Sequence, residues 1–559
     1  MPLTKGSLTP KEIREKELDI AKEFLLAKED TKFDLQRRVN GVPAQMGGGG
    51  YQFAGYTTLE RFYRGDQWNA PEPPGAAQRT DNYCAVIVDN LSSLIFDDDP
   101  DVSAPTDDPS DDLLEIKAET KEALVVRVWR DNNSRVEFDE LSKGGSLYGD
   151  SFIKGPYMEK DKKNGDKWKI KFHHIEDPAS VRVVWADGRF KDIGAFIEET
   201  RYSLSRALLL YGDAARAKGI DLMKEAKVDG LREGRVDYDT RIPMVTIAEM
   251  WTDERMSLHV NDKTLDFYFH NWKFVPLIHI KNSYVPNYPY GKSDLEDVLD
   301  PQLAHNRTMN DLANFLRWVS TVNMWGKNLE GMEALVAGMS RIYSLPDDGE
   351  LHAFEKTGDP YIANTFVQQR RAAIIDIAGI SEAMLSSSQT SVASGRALAL
   401  AFQGTLRKLG PRMKRYEAAL EQLNENILRL YEIYFPKTKM VIEGDYRTEV
   451  RLSATLLRNI VDTINKLQSG IISLDTAQKE AGVARPRMEQ KVMRKNLQDP
   501  LLGPQMARQP ALLPQLQEGQ NQPGEQPTPG PGQRFSSPGG APAAANQQAS
   551  GAAPTPVTE

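Results

Sequence analysis

The chain has 559 residues, 40% of them apolar, which exceeds one ordinary domain and supplies side chains for two or three buried cores, so a wholly disordered protein is excluded. Its 79 acidic and 70 basic side chains leave a formal net charge of −9, so the overall field repels nucleic acid and any DNA contact has to be local. Cys84 is the single cysteine, which excludes an intrachain disulfide framework and a Cys-rich zinc site and suits a reducing cytoplasm, with Cys84 expected as a small buried side chain.

The opening MPLTKGSLTPKEIREKE lacks the apolar core of a signal peptide, and no window reaches the roughly 18 apolar residues that cross a bilayer. A cytosolic protein without membrane contact is expected. Residues 11–38 are rich in Lys and Glu, with Ile13, Leu18, Ala21, Phe24 and Leu25 at near-helical spacing, and predict an amphipathic arm. The following GVPAQMGGGG has the most backbone entropy to lose and reads as a hinge, so residues 1–50 form an arm and hinge, and folded structure is expected from Tyr51.

Residues 51–292 mix signals: a short helix at 58–63, the apolar run VIVDNLSSLIF, then strands. In KWKIKF, Trp168, Ile170 and Phe172 alternate with Lys167, Lys169 and Lys171, directly after the turn-forming Asn164-Gly165, which predicts a hairpin with one buried face. The lysine row is read as edge-strand solubility rather than a phosphate site. VRVVWADGRF repeats the pattern around Asp187-Gly188, and the block reads as α+β.

After Gly291 the chain turns helical. Ser293-Asp294-Leu295-Glu296 has the spacing of a capping box and predicts a helix start there. Pro301 predicts a break and a fresh start running to Val319, about 30 Å long. Met309, Leu312, Ala313, Leu316 and Val319 line one side of it. Residues 321–362 form a compact insert, with strand-like RIYSLPDDGELHAF around Asp347, Asp348 and Gly349. Helical character returns over 363–380, and SEAMLSSSQTSVASG, small, polar and aperiodic, lies within a loop at 381–395.

The clearest periodicity follows within 396–452: Phe402, Leu406, Leu409, Met413, Tyr416, Leu420, Leu423, Ile427, Leu430 and Tyr434 form one seam, on a helix of about 48 Å with a kink expected at Gly410-Pro411. The sequence MVIEGDYRTEVRL predicts a returning hairpin, and 453–499 predict short helices divided at Gly470 and Gly482. Residues 500–559 are dominated by Pro, Gln, Gly and Ala and are expected not to fold.

No catalytic centre emerges. Gly291-Lys292-Ser293 matches the end of a phosphate-binding loop, yet Pro286 stands where the first glycine belongs and Pro289 has no N–H to offer phosphate. A nucleotide-driven motor using Lys292 is the rival from another class. Gly144-Gly145-Ser146-Leu147-Tyr148-Gly149 lacks the spacing of a nucleophile elbow, and His173-His174 on a strand must face opposite ways, which argues against zinc. The aspartates between 97 and 112 lack the loop glycine of a calcium hand, and Ser110 is expected to cap the next helix. Neither a cofactor nor a metal is expected.

An ordered series of segments remains: RFYRGDQW, DNYCAVIVDNLSSLIF, SLYGDSFIK, YGKSDLEDVLDPQLAHNRTMNDL, IAGISEAMLSSSQTSVASGRALAL and LQSGIISLDTAQKEAG. In order and spacing this series resembles portal proteins of tailed bacteriophages, of the SPP1-like type, over most of 55–495. The resemblance implies a helix-rich α+β portal fold: an α/β wing (51–292), stem helices (293–320 and 363–380), a small α/β clip (321–362), a tunnel loop (381–395), a long helix and hairpin returning to the wing (396–452), a helical crown (453–499) and a disordered tail. It implies a non-enzymatic dodecameric ring at one capsid vertex, assembled in the host cytoplasm, through which double-stranded DNA is packaged and ejected. Terminase and then head-completion proteins would dock on the clip, with Asp347, Asp348 and Glu350 facing them. Major capsid or scaffolding protein would hold the ring, and a head–tail adaptor ring is a further alternative.

Physical reasoning agrees with a channel. A bore that bound phosphates firmly would release counterions at each contact and stall the DNA. Ser386, Ser387, Ser388, Gln389, Thr390 and Ser391 can make brief, interchangeable contacts, while Arg370, Arg371 and Arg396 flank the loop and serve either as phosphate contacts or as intersubunit salt bridges. The helices after Gly291 are expected to bury their apolar sides against sister copies.

Overall fold

A computed structural model describes residues 10–43, 51–68, 79–107, 111–161, 167–228, 243–320, 324–327, 350–353, 360–382, 395–452 and 477. Two helices open it, α1 (Pro10–Asp30) and α2 (Lys32–Asn40), followed by strand β1 (Gly41–Pro43) paired antiparallel with β2 (Tyr51–Ala54). Next come α3 (Tyr56–Tyr63), α4 (Tyr83–Ser93), β3 (Asp101–Ser103), α5 (Asp112–Asp131) and α6 (Ser134–Tyr148). The side chain of Asp111 caps α5 by accepting from Leu113 N at 2.9 Å. The expected cap, Ser110, lies outside the described residues.

The strands β4 (Asp150–Asp161), β5 (Lys167–His174), β6 (Val181–Trp185) and β7 (Ile193–Ser203) follow, then α7 (Leu204–Ala217), α8 (Leu222–Glu225) and β8 (Lys227–Val228). The strands β9 (Pro243–Thr252), β10 (Arg255–Val260), β11 (Lys263–Phe269) and β12 (Leu277–Lys281) complete the block. They form a six-stranded sheet, β11-β10-β9-β7-β6 with β8 on β9, and a three-stranded sheet, β12-β4-β5, all antiparallel. The hairpin expected at KWKIKF is β4–β5, with Ile170 and Phe172 buried and Lys169 and Lys171 partly exposed. Its Asn164-Gly165 turn lies outside the described residues.

Beyond Gly291 stand α9 (Leu299–Ser320), the paired strands β13 (Met324–Lys327) and β14 (Glu350–Ala353), α10 (Pro360–Ala378), α11 (Gly395–Tyr434), α12 (Pro436–Ile442) and β15 (Glu449–Arg451), which pairs with β3. The expected returning hairpin is therefore a short helix followed by one strand. Pro436 at the first turn of α12 favours the helix, because its missing N–H costs nothing there. One helix continues through Pro411.

Two further expectations need correction. Described residues ahead of Tyr51 are already folded: Ile20, Phe24 and Ala27 are buried, and Phe24 packs with Ala195, Ile197, Ala248 and Met250 on the outer face of the six-stranded sheet. Phe24 also stacks on His259, with ring centroids 3.8 Å apart. A glycine-rich linker signals entropy, but an unpaired apolar sheet face is a stronger force than the hinge. The second correction concerns the long seam. Leu409, Met413, Tyr416, Leu420, Leu423, Ile427 and Leu430 are buried in this chain's own core, beside residues of β4, β12, α5 and α6. Periodicity reports that a face is covered, not whose surface covers it. The two other helices differ, since Leu316 on α9 and Tyr361, Phe366 and Ile377 on α10 remain exposed in the single chain.

The main core thus joins the inner face of the six-stranded sheet, through Val181, Val183, Phe196 and Trp251, to the three-stranded sheet and then to α6 and α11, with α5 outside them. A smaller cluster under α7 holds Val245 and Ile247.

Candidate channel site

Of the segment expected to form the polar loop, residues 383–394 lie outside the described residues, so the places of Ser386 to Ser391 are not described. Both of its ends are. On the near side α10 stops in a Schellman motif: Gly379 takes φ +66°, its N–H donates to Asp376 O at 3.1 Å, and Ile380 N donates to Ile375 O at 3.3 Å. Ser381 N then donates to Thr405 Oγ1 at 3.0 Å, and Lys408 Nζ donates to Ala378 O at 2.8 Å. Thr405 and Lys408 belong to α11, which carries the far end of the loop. The near end of the loop is therefore tied to a base on α11, about three turns beyond Gly395, where that helix begins.

That base is anchored by a buried charge. Lys408 Nζ also lies 3.0 Å from Asp294 Oδ1, and Arg412 Nη1 donates to Asp294 Oδ2 at 2.8 Å. Ser146 Oγ donates to the same oxygen at 2.7 Å, and Asp294 N donates to Ser146 O at 3.1 Å. The side chains of Asp294 and Arg412 are each only 1% exposed, so the pair is shielded from solvent. Burial alone would raise the Asp294 carboxyl, but Arg412, Lys408 and the Ser146 hydroxyl outweigh it and hold it below the usual carboxylate range. Four pieces of chain meet at this point: the end of α6, the segment before α9, the end of α10, and α11.

Two glycines bring the first two together. Gly149 ends α6 at φ +88°, and a Cβ there would stand 2.7 Å from Ser293 N. A Cβ on Gly291 would stand 2.1 Å from Gly149 O, closer than any side chain tolerates. Next to them Asp150 accepts from Gly291 N at 2.7 Å and from Tyr56 OH at 2.8 Å, and pairs with His279 Nε2 at 2.7 Å. The segments SLYGD and YGKSD are thus one spatial unit. A second unit joins RFYRGDQW, DNYC and α9: Asn306 Oδ1 accepts from Asp81 N at 3.1 Å, Asn310 Oδ1 from Arg79 N at 2.9 Å, and Asn306 Nδ2 donates to Gln67 Oε1 at 2.5 Å. With Gln302, whose amide donates to Asp81 O, these residues at i, i+4 and i+8 form one polar column along α9.

The capping box does not form. Ser293 Oγ accepts from Leu295 N at 3.1 Å and donates to Leu147 O at 2.7 Å, the Glu296 carboxylate accepts from Ala54 N–H, and the helix starts only at Leu299. Pro301 sits in its first turn, where it is tolerated. Lys292 Nζ is 2.6 Å from Asp297, and the Gly291 N–H is spent on Asp150, so the phosphate-loop reading loses its lysine, its donor and its helix.

The flanking arginines are separated by their surroundings. Arg370 is partly buried over the Phe366 ring of its own helix, 4.7 Å from the centroid, and borders a shallow opening beside Asp300, Pro301 and Ala304. The Arg371 Nη2 is 3.9 Å from Glu382 Oε1 of the same chain, and its charge reaches the Tyr83 phenol. Arg396 is in the first turn of α11, and its side chain is not among those described. Asp347 and Asp348 lie outside the described residues, whereas Glu350 is exposed at the start of β14, paired with Lys327.

Sequence reasoning passed over Asp294, Lys408 and Arg412. A signal existed: Arg412 falls between Leu409, Met413 and Tyr416 on the covered side of the seam, and a charge within a buried stripe requires a partner.

A family model described as phage portal protein, SPP1 Gp6-like, matches residues 51–499. A chain from a solved structure described as "Virion of native gene transfer agent (GTA) particle" is 13% identical, with 76% of this chain and 93% of that chain covered and a TM-score of 0.42. Another, from "Neck of native GTA particle computed with C12 symmetry", is 13% identical over 71% of this chain and 89% of that chain, with a TM-score of 0.39. Comparison with curated proteins gave no match.

Proposed function

The chain belongs to the SPP1 Gp6-like family of phage portal proteins, and we propose that its copies close into a dodecameric ring at one capsid vertex, around a channel through which double-stranded DNA is packaged and ejected. The extent of the family match, 51–499, carries this reading, because it takes in every segment that builds the two spatial units and the loop base. The exposed apolar residues on α9 and α10 support it, since a lone chain leaves them in water and neighbours in a ring would cover them. In this reading 51–292 is the wing, 293–320 and 363–380 the stem, 321–362 the clip, 381–395 the tunnel loop and 453–499 the crown.

Terminase and later head-completion proteins dock on the clip, where Glu350 with Asp347 and Asp348 presents acid to them, and capsid or scaffolding protein surrounds the ring. Assembly takes place in the host cytoplasm and the ring ends in the virion. The hydroxyl and amide groups of 386–391 brush the DNA, and Arg370, Arg371 and Arg396 touch phosphate or form intersubunit salt bridges. No catalytic step belongs to this role.

Electron microscopy of purified protein tests it: rings with a hole wide enough for duplex DNA are expected, and a monomer under all assembly conditions overturns it. Charge reversal at Arg370, Arg371 and Arg396 together is expected to impair packaging or assembly. Unchanged behaviour in both removes their assigned role.

A further inference from the structure

Among the described residues, the wing carries two exposed apolar surfaces in its two outermost layers. On the outside of α1, opposite the buried Ile20, Phe24 and Ala27, stand Leu18 (58% exposed), Leu25 and Leu26 (67% exposed). With the helical repeat they make one ridge about 12 Å long. At the other extreme, the outer side of α5 shows Leu113 (70% exposed), Ile116 and Val126. That stripe runs into a groove of about 530 Å³ lined by Pro100, Val126, Trp129, Val136 and Phe138, with Val136 57% exposed. Between the ridge and the groove lie the six-stranded sheet, the three-stranded sheet, and the α6–α11 layer.

We propose that the α1 ridge of one copy seats in the α5–α6 groove of the next, a head-to-tail contact between wings that rests on the ring reading above. The position of the two surfaces is the first reason. A ridge and a groove on opposite layers of one body cannot meet within that body, nor do they form a two-fold contact of like with like; they propagate, and close when the rotation per copy closes. Charge is the second. Asp99, paired to Arg135, and Arg130 line the groove, and Asp97 and Asp98 line an adjoining opening that shares Asp99, Pro100, Arg135 and Phe138 with it. The α1 ridge is flanked by Lys11, Arg14 and Lys22, with Glu15 and Glu29 also on that face. Orienting the three bases toward the three aspartates fixes which end of α1 enters first, while the leucines fill the groove.

The test uses the full chain with Leu25→Cys and Val136→Cys introduced together. Cys84, wholly buried and with its thiol pushed up to about 12 by burial, stays silent. Mild oxidation of assembled rings is expected to give a ladder of dimer, trimer and higher covalent species on a non-reducing gel, because each copy offers one thiol to either neighbour. Dimers alone would mean a two-fold contact, and absence of cross-links in intact rings would mean the wings meet elsewhere; each overturns the proposal and leaves the ring standing. In a companion variant, Leu18→Glu with Leu26→Glu, both positions are exposed, so the fold should keep its melting temperature while the ring fraction at fixed concentration drops at least tenfold. An unchanged ring fraction also overturns the proposal, whereas failure of the unmodified chain to form rings counts against the ring reading itself.

Discussion

Replacing Asp294 by Asn neutralises the carboxylate that meets both Arg412 and Lys408 while keeping the shape of the side chain. Lys408 is partly exposed and can turn to water, but Arg412 cannot: its Nη1 is held by Asp294, and its Nε and Nη2 have no hydrogen-bond partner among the described residues. Leaving such a charge buried and unpaired costs about 3–5 kcal/mol. With an unfolding entropy of about 2.1 cal/mol/K per residue over a cooperative unit of several hundred residues, that corresponds to a fall of roughly 3–8 °C in Tm. Calorimetry at pH 7 measures it, and hydrogen exchange at 376–382 should rise in step, because Lys408 is freed from the α10 end. Removing both charges with Asp294→Asn and Arg412→Met should recover most of the loss, since a buried pair replaced as a pair is close to neutral. The folded Asp294 carboxyl titrates below its ordinary value of 3.8, so its contribution is complete above that value and disappears as pH falls through the lower folded value. The gap between parent and variant should therefore close only in strong acid. An unchanged Tm for Asp294→Asn, or a double variant no better than the single one, refutes the role given to this carboxylate.

Glu296 should behave with the opposite sign. Burial, with Asp297 and Asp150 adding to it, pushes its carboxyl up to about 7, so the folded state retains a proton that the unfolded chain releases and stability declines as pH rises from about 4.5 toward 7. Glu296→Gln, compared by thermal melts, should match the parent near pH 4.5 and exceed it at pH 8 by on the order of 2–3 kcal/mol. Phe24→Ala should cost about 3–5 kcal/mol of arm docking, read as protease cleavage within residues 10–40 before the sheets open. Lys292→Ala should change stability by no more than about 1 kcal/mol and leave ring formation intact, because its partner Asp297 is largely in water; a collapse in either would restore a special role for that lysine.

The elements legible in the sequence were those whose signal is local. The β4–β5 alternation, the extent of α9 and the single seam of α11 follow from side-chain period alone. What stayed hidden were partners. Ser293 and Glu296 have the spacing of a capping box, yet each finds a better partner across the fold, in Leu147 O and Ala54 N–H. The docking of α1 left a trace that periodicity passes over: in β9, Val245, Ile247, Ala248, Met250 and Trp251 are apolar on both faces, the mark of a strand covered from two sides. The polar column Gln302, Asn306 and Asn310 looks like an exposed helix face in isolation. It is buried because residues 79–81 arrive from more than two hundred positions away with unpaired backbone groups to satisfy.

In the proposed channel, the distribution of buried charge bears on how an acidic chain would surround DNA. Among the described residues five lysine and arginine side chains are buried, Arg38, Lys121, Lys154, Arg182 and Arg412, against two carboxylic ones, Asp150 and Asp294. Each of the five already has an acceptor: Arg38 the carbonyls of Pro178 and Val181, Lys121 Asp445, Lys154 both Glu198 and Glu249, Arg182 Glu199, and Arg412 Asp294. Groups engaged in this way cannot displace counterions from a phosphate backbone, so they add nothing to the salt-dependent grip that would hold DNA in place. The same engagement stiffens the junctions between the sheets, the segment before α9 and the base on α11, because a charge pair out of water tolerates little change in geometry. In the proposed channel, a loop base fixed by buried charge and a loop sequence of small hydroxyl and amide groups would separate two demands, a rigid frame and a surface over which a polyanion slides.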